Sequence, residues 1–162
     1  MIGPRSAHIR NVVDSFLKGP VPLVEGGSCN ASFVYLENLV DGVVLAADSE
    51  KAVNRAYHFV DDYELTWAEY MTAVGALVGK KPWISLSYKQ TYTLAGIIEY
   101  LLLPTGKRPL MTRFAVSIIG LDNHVDTTRA REELGWKTRV QWPEVWAELE
   151  AWVKHEFPEA VQ

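Results

Sequence analysis

The chain has 162 residues, 48% of them hydrophobic, a formal net charge of -4 at pH 7 and a pI near 5.6. This length suits one ordinary domain with a core of its own, and the absence of a basic stripe interleaved with aromatic residues excludes nucleic acid as an expected partner. The single cysteine, Cys29, allows neither an internal disulfide nor a thiolate metal cluster, which points to a reducing, cytoplasmic setting.

At the N-terminus Gly3-Pro4 makes a turn, and Ser6 caps a helix running to about Lys18, with Ile9, Val12, Val13, Phe16 and Leu17 on one face. Residues 21–24 read as a short extended piece that Pro20 and Pro22 confine to an edge. A Gly26-Gly27 turn and a second short strand over 32–36 follow. Residues 37–49 return to helical spacing, with Leu39, Val40, Val43, Val44 and Ala47 as the expected buried stripe. Residues 55–62 read as a compact strand, and Thr66 with Glu69 forms a capping box that starts the next helix.

The second half is mainly helical. Residues 88–103 form a strongly apolar helix stopped by Pro104; a basic turn leads to a helix over 112–119 that Gly120 ends, and a small helix lies within 123–136. The last helix has Pro143 in its first turn and carries Val145, Trp146, Leu149, Trp152 and Val153 on one face, which assigns its tryptophans to a core. The run 94–103, interrupted by Gly96 and Glu99, falls short of the roughly 20 residues that a bilayer requires.

Catalytic groupings are scarce. Gly26-Gly27 lacks a third glycine and leads into a strand, so it is no phosphate-binding turn. His8, His58, His124 and His155 fall on four separate elements with no i, i+3 or i+4 pair, so no metal ligand is assigned. Asp61 and Asp62 are adjacent and face opposite ways in an extended chain, which suits turn capping better than a carboxylate pair. Three polar features stand as candidate ligand contacts. Asn30 precedes a strand and reads equally as a turn residue bonding its own backbone. The group Lys107, Arg108 and Arg113 suits an anionic ligand, although a solvated basic turn is its commoner meaning. The third is Pro4-Arg5.

Four segments in order, GPRS (3–6), GGSCNASFVYLENLVDGVVLAA (26–47), AYHFVDDYELTWAEY (56–70) and MTRFAVSIIGLDNHVDTTRAREELGW (111–136), resemble a known pattern. It is that of the C-terminal half of extended short-chain dehydrogenases, in the 3β-hydroxysteroid and sterol dehydrogenase-like branch of the NAD-dependent epimerase/dehydratase family. The resemblance implies an α/β chain, mainly helical with a small sheet of short strands, as a single substrate-binding-type domain over 1–162 that is truncated relative to the family. It makes Gly3-Pro4 the exit turn of a nucleotide-binding sheet, with Ile2 where tyrosine is usual, and residues 56–60 a strand at the edge of the main sheet. Pro4, Arg5, Asn30, Tyr35 and Arg113 become substrate-binding candidates. NAD(P) is implied for the full-length family, and no cofactor is expected on this chain.

The family's catalytic tyrosine is followed four residues later by lysine. None of Tyr35, Tyr57, Tyr63, Tyr70, Tyr88, Tyr92 and Tyr100 has that lysine, so no catalytic residue is assigned. Two functional expectations result. One is the substrate-binding portion of an NAD(P)-dependent oxidoreductase or epimerase, inactive alone, taking a small-molecule substrate for which a steroid, another hydrophobic alcohol and a nucleotide sugar all fit the wider family. The other is a stand-alone ligand-binding or interaction module whose uncovered strand edge and apolar faces require a second copy or the missing nucleotide-binding half. The apolar helix 88–103 suits a bulky hydrophobic substrate or a membrane surface, with core as its commoner meaning.

Overall fold

A computed structural model describes residues 1–106, 109 and 111–160, and the chain forms two compact units in it. Among the described residues, the first comprises Met1–Asn11, Ser32–Glu64 and residues 124–160; the second comprises Val12–Ala31 and residues within Leu65–Asn123. In chain order the elements are α1 (Ala7–Lys18), β1 (Leu23–Val24), α2 (Leu36–Ala47), α3 (Trp67–Leu77), β2 (Ser85–Leu86), α4 (Tyr88–Leu102), α5 (Arg113–Gly120), α6 (Thr128–Leu134) and α7 (Trp142–Glu156). The fold is α/β and mainly helical, as expected. Lys107 and Arg108 of the expected basic group lie outside the described residues.

In the first unit the expected strand over 32–36 reduces to one parallel bridge between Ile2 and Tyr35. Ile2 N donates to Val34 O at 2.9 Å and Leu36 N donates to Ile2 O at 3.0 Å. Residues 55–62, expected as a strand, form none. A strand exists only through a ladder, and here the backbone partners are irregular: Asp61 N donates to Phe33 O at 2.9 Å, whereas Asp62 N donates to a side chain, Thr138 Oγ1, at 3.0 Å.

Of its expected stripe, helix α2 keeps Leu39 against the core and turns Val40, Val43, Val44 and Ala47 outward. Asn38 and Gly42 are buried, while Val40, Val43 and Val44 are 50%, 56% and 52% exposed. Two things select this face: Asn38 is bonded inside the unit, and Gly42 lets α2 approach so closely that a Cβ there would lie 2.5 Å from Phe59 Cε1. Phe59 in turn meets Trp136 edge-on at 5.2 Å, within a cluster built on Val34, Ala130 and Trp136. Gly42→Ala is therefore expected to lower unfolding free energy by about 1–2 kcal/mol in a urea titration, because overpacking outweighs the roughly 1 kcal/mol by which alanine favours a helix.

On α7, Val145, Leu149 and Val153 are fully buried and form the core contact, whereas Trp146 and Trp152 are only half-buried. Trp146 lies 5.9 Å from Trp142, and the Arg10 guanidinium sits 5.4 Å from the Trp152 ring.

In the second unit β1 and β2 pair in parallel, with Leu23 opposite Ser85 and Val24 opposite Leu86. Thr66 and Glu69 form both halves of the capping box of α3, and Ser87 with Gln90 does the same for α4. Helices α4 and α5 enclose a small core of Val24, Ala95 and Val116, with Tyr88, Met111 and Ile119 packed against it. Only Thr91 and Ala95 of α4 are fully buried, and Tyr92, Leu94, Ile97, Tyr100 and Leu101 stay exposed. Core is thus not the role of most apolar residues on this helix.

Candidate functional site

The polar centre of the second unit forms where α5 begins. Thr112 Oγ1 accepts from Ala115 N at 3.1 Å and fixes the first turn, from which Arg113 projects toward α4. Glu99, on the last turns of α4, accepts from both the backbone N and the Nε of Arg113, each at 2.8 Å. These bonds from Arg113 hold the Glu99 carboxyl below its usual range, and Glu99 raises the guanidinium in return. The guanidinium carbon lies 5.9 Å from the centre of the Tyr92 ring, and Gly96 leaves the space for it: a Cβ there would stand 3.3 Å from Arg113 Cδ.

Tyr92, Gly96 and Glu99 are spaced i, i+4 and i+7, so one face of α4 receives the arginine. A shallow, open recess of about 520 Å³ lies beside it, lined by Tyr92, Thr93, Gly96, Ile97, Tyr100, Leu101 and Arg113. It offers an apolar and aromatic floor with the Thr93 hydroxyl and a single cation at its margin. That arrangement accommodates a flat hydrophobic body carrying an oxygen acceptor. Sequence reasoning had Arg113 but not its partners. The signal was present in the helical spacing of Tyr92, Gly96 and Glu99 before a Pro104 and Gly106 turn that brings the chain back.

The other candidates take separate places. Asn30 forms an antiparallel bridge with Thr66, flanked by Ala31 N donating to Leu65 O at 2.8 Å and Trp67 N donating to Cys29 O at 3.1 Å. In the first unit Pro4, half-buried, and Arg5, exposed, form a turn closed by Ser6 N donating to Gly3 O at 3.2 Å. Arg5 adopts a left-handed φ of 65°, which is uncommon for a residue other than glycine. Tyr35 is buried with its hydroxyl donating to Glu148, and burial together with that bond pushes its phenol well above the usual range. Tyr35 thus serves as an anchor for the start of α2.

Beside Tyr35 lies a buried polar network that sequence reasoning missed. Asn38 Nδ2 donates to Asp61 Oδ1 at 2.9 Å and Val140 O at 3.1 Å, and its Oδ1 accepts from Val140 N at 2.9 Å. Asp61 also accepts from Tyr35 N at 2.6 Å and Thr138 Oγ1 at 3.1 Å. The expected opposition of Asp61 and Asp62 holds, since Asp61 is buried and Asp62 is exposed and pairs with Arg131 at 2.8 Å. The role differs from turn capping: Asp61 binds the N-terminal end of α2.

A dinucleotide does not fit the glycine pair. Gly27 is packed against the Ala68 backbone, and the chain beyond it leads into the Asn30–Thr66 bridge instead of a helix N-terminus. Among the described residues, no group of three or more His, Cys, Asp or Glu side chains is arranged to hold a metal ion.

No family profile matches the chain. It is 30% identical over 146 residues to short-chain dehydrogenase/reductase family 42E member 1 of Danio rerio, a match covering 83% of this chain and 36% of that protein. It is 27% identical over 155 residues to the uncharacterized protein YbjS of Escherichia coli (strain K12), covering 93% of this chain and 44% of that protein. Among solved structures, that of gox2253 aligns with a TM-score of 0.63 at 19% identity, over 96% of this chain and 47% of the other. That of the epimerase Mth375 from Methanothermobacter thermautotrophicus aligns with a TM-score of 0.61 at 16% identity, over 98% of this chain and 42% of the other. The chain thus spans less than half the length of each of these proteins. In sequence it is distantly similar to a short-chain dehydrogenase/reductase, and in fold to part of each of the two solved structures.

Proposed function

We propose that the chain is the substrate-binding portion of an NAD(P)-dependent oxidoreductase or epimerase, in the 3β-hydroxysteroid and sterol dehydrogenase-like branch of the short-chain dehydrogenases, and that it is catalytically inactive alone. The observation that carries this reading is the recess at Arg113, where one cation fixed by Glu99 borders Tyr92, Ile97, Tyr100 and Leu101. Its balance favours a hydrophobic alcohol or ketone over a nucleotide sugar, which would bring two phosphates to a margin holding one already paired cation. The tyrosines support the inactivity. None of the seven tyrosines is followed four residues later by the lysine that would lower its pKa for proton transfer.

Titration of the chain with a fused-ring ketosteroid, followed by ligand-observed NMR, is expected to show saturable binding, and Arg113→Ala is expected to weaken it by roughly tenfold through loss of a charge-assisted hydrogen bond. Preference for a nucleotide sugar, or micromolar NAD(H) binding in calorimetry, overturns the reading.

A second reading, a self-associating binding module, is favoured by the exposed apolar face of α2, where Leu36, Val40, Val43 and Val44 lie open. It expects a homodimer in light scattering that Val43→Glu dissolves, and a monodisperse monomer refutes it.

A further inference from the structure

We infer that the recess between the C-terminal ends of α1 and α3 binds a small phosphate monoester carrying a flat ring. It measures about 480 Å³, its lining includes Lys18, Lys80, Lys81 and Trp83 with Pro20 and Pro82, and it lies wholly within the second unit. That volume is on the scale of a small-molecule site. Backbone bonds fix the loop that carries two of the lysines: Lys80 N donates to Gly75 O at 2.9 Å, and Trp83 N donates to Val21 O at 2.9 Å. Gly75 lets this loop seat directly on α3, since a Cβ there would lie 2.9 Å from Lys80 O and 3.1 Å from Phe16 Cε1.

The charges around this recess are uncommitted. Lys18 is shared with Asp14 at 3.8 Å, but among the described residues neither Lys80 nor Lys81 pairs with an acid. The end of α3 does not occupy them either, because carbonyls in its last turn already accept backbone donors. Gly75 O takes Val78 N and Lys80 N, and Ala76 O takes Gly79 N. Two free ammonium groups and a third that is weakly held match a phosphate dianion, which lysine meets as a compact point charge. Trp83 supplies the other half of the recognition. It is 71% exposed, yet its backbone is tied to Val21 and preceded by Pro82, so its ring is offered at small cost in chain entropy to a flat group that stacks on it. The Arg113 recess lacks this character, since Glu99 already neutralises its cation, and the present inference does not depend on the ketone reading made there.

The test is titration with naphthyl phosphate followed by ligand-observed NMR, with naphthol and inorganic phosphate as the two half-ligands. The ester is expected to bind saturably, more tightly than either half, and to weaken with salt. Lys80→Gln with Lys81→Gln is expected to weaken it by on the order of tenfold through loss of the charge-assisted contacts, and Trp83→Ala by roughly fivefold through loss of stacking. All three side chains are exposed, so the far-UV circular dichroism of these variants stays that of the wild type. Absence of binding overturns the inference, as does naphthol or inorganic phosphate that binds as tightly as the ester. Variants that bind like the wild type overturn it too, and so does binding that is lost in Arg113→Ala instead. Ketosteroid titration reads the Arg113 recess separately, so this inference and the substrate reading fail independently.

Discussion

Asn38→Ala is expected to lower the unfolding free energy by about 3 kcal/mol, the sum of a few buried polar groups left without partners at about 1–3 kcal/mol each before relaxation. Asn38 is fully buried and joins three segments distant in sequence. Its amide donates to Asp61 and to Val140 O, and its oxygen accepts from Val140 N at 2.9 Å and Arg139 N at 3.2 Å. Alanine removes all of these bonds and leaves Asp61 with less support for its charge. Urea unfolding checks the figure, and a loss under about 1 kcal/mol would show that water or a shifted backbone replaces the amide.

The loss should also depend on pH. Burial raises the Asp61 carboxyl above its ordinary 3.8, against the hydrogen bonds that favour its charged form. A carboxyl whose folded pKa is raised contributes stability in full below its unfolded pKa, and that contribution fades as pH rises through the folded value. Removing the Asn38 donor moves the folded value higher still. The Asn38→Ala penalty is therefore expected to be larger at pH 7 than near pH 4, and a penalty that grows on acidification contradicts this assignment.

Gly27→Ala is expected to cost about 3 kcal/mol, and its neighbour supplies the control. Gly27 has a φ of 69°, and a Cβ there would stand 2.6 Å from Ala68 N and 2.9 Å from Ala68 Cα, so relief requires the start of α3 to move. Left-handed strain contributes about 1–2 kcal/mol and the forced displacement about 1–3 kcal/mol. Gly26 has nearly the same φ, 66°, but its Cβ would meet nothing closer than Ser85 Oγ at 3.9 Å. Gly26→Ala should therefore cost only the conformational part, about 1 kcal/mol. Equal losses in thermal or urea unfolding would show that the Ala68 contact is unimportant.

The exposed faces change the meaning of two helices. Hydrophobic spacing assigns Val40, Val43 and Val44 of α2 and most of α4 to a core, yet these residues face outward while Asn38, Gly42, Thr91 and Ala95 face in. The proposal of self-association through α2 begins from this reversal. A protein that leaves so much apolar surface on two helices has more to bury than its own described core accepts.

What the sequence by itself determined was local. The Thr66–Glu69 capping box, the stop at Pro104, Pro143 in the first turn of α7 and the opposition of Asp61 to Asp62 all appear as expected, because each depends on residues within one helical turn or one extended step. The order of four short segments likewise carried the resemblance to short-chain dehydrogenases, which a distant sequence similarity to one of them supports. Tertiary structure decided everything that needs a distant partner. Residues 55–62 lack a ladder and form no strand, Asn38 commits the inner face of α2 through Val140 about a hundred residues away, and Arg113 acquires its meaning from Glu99 on another helix. Hydrophobic periodicity says that a helix has a face; the close approach that Gly42 permits and the bonds that Asn38 must satisfy determine which face is inside.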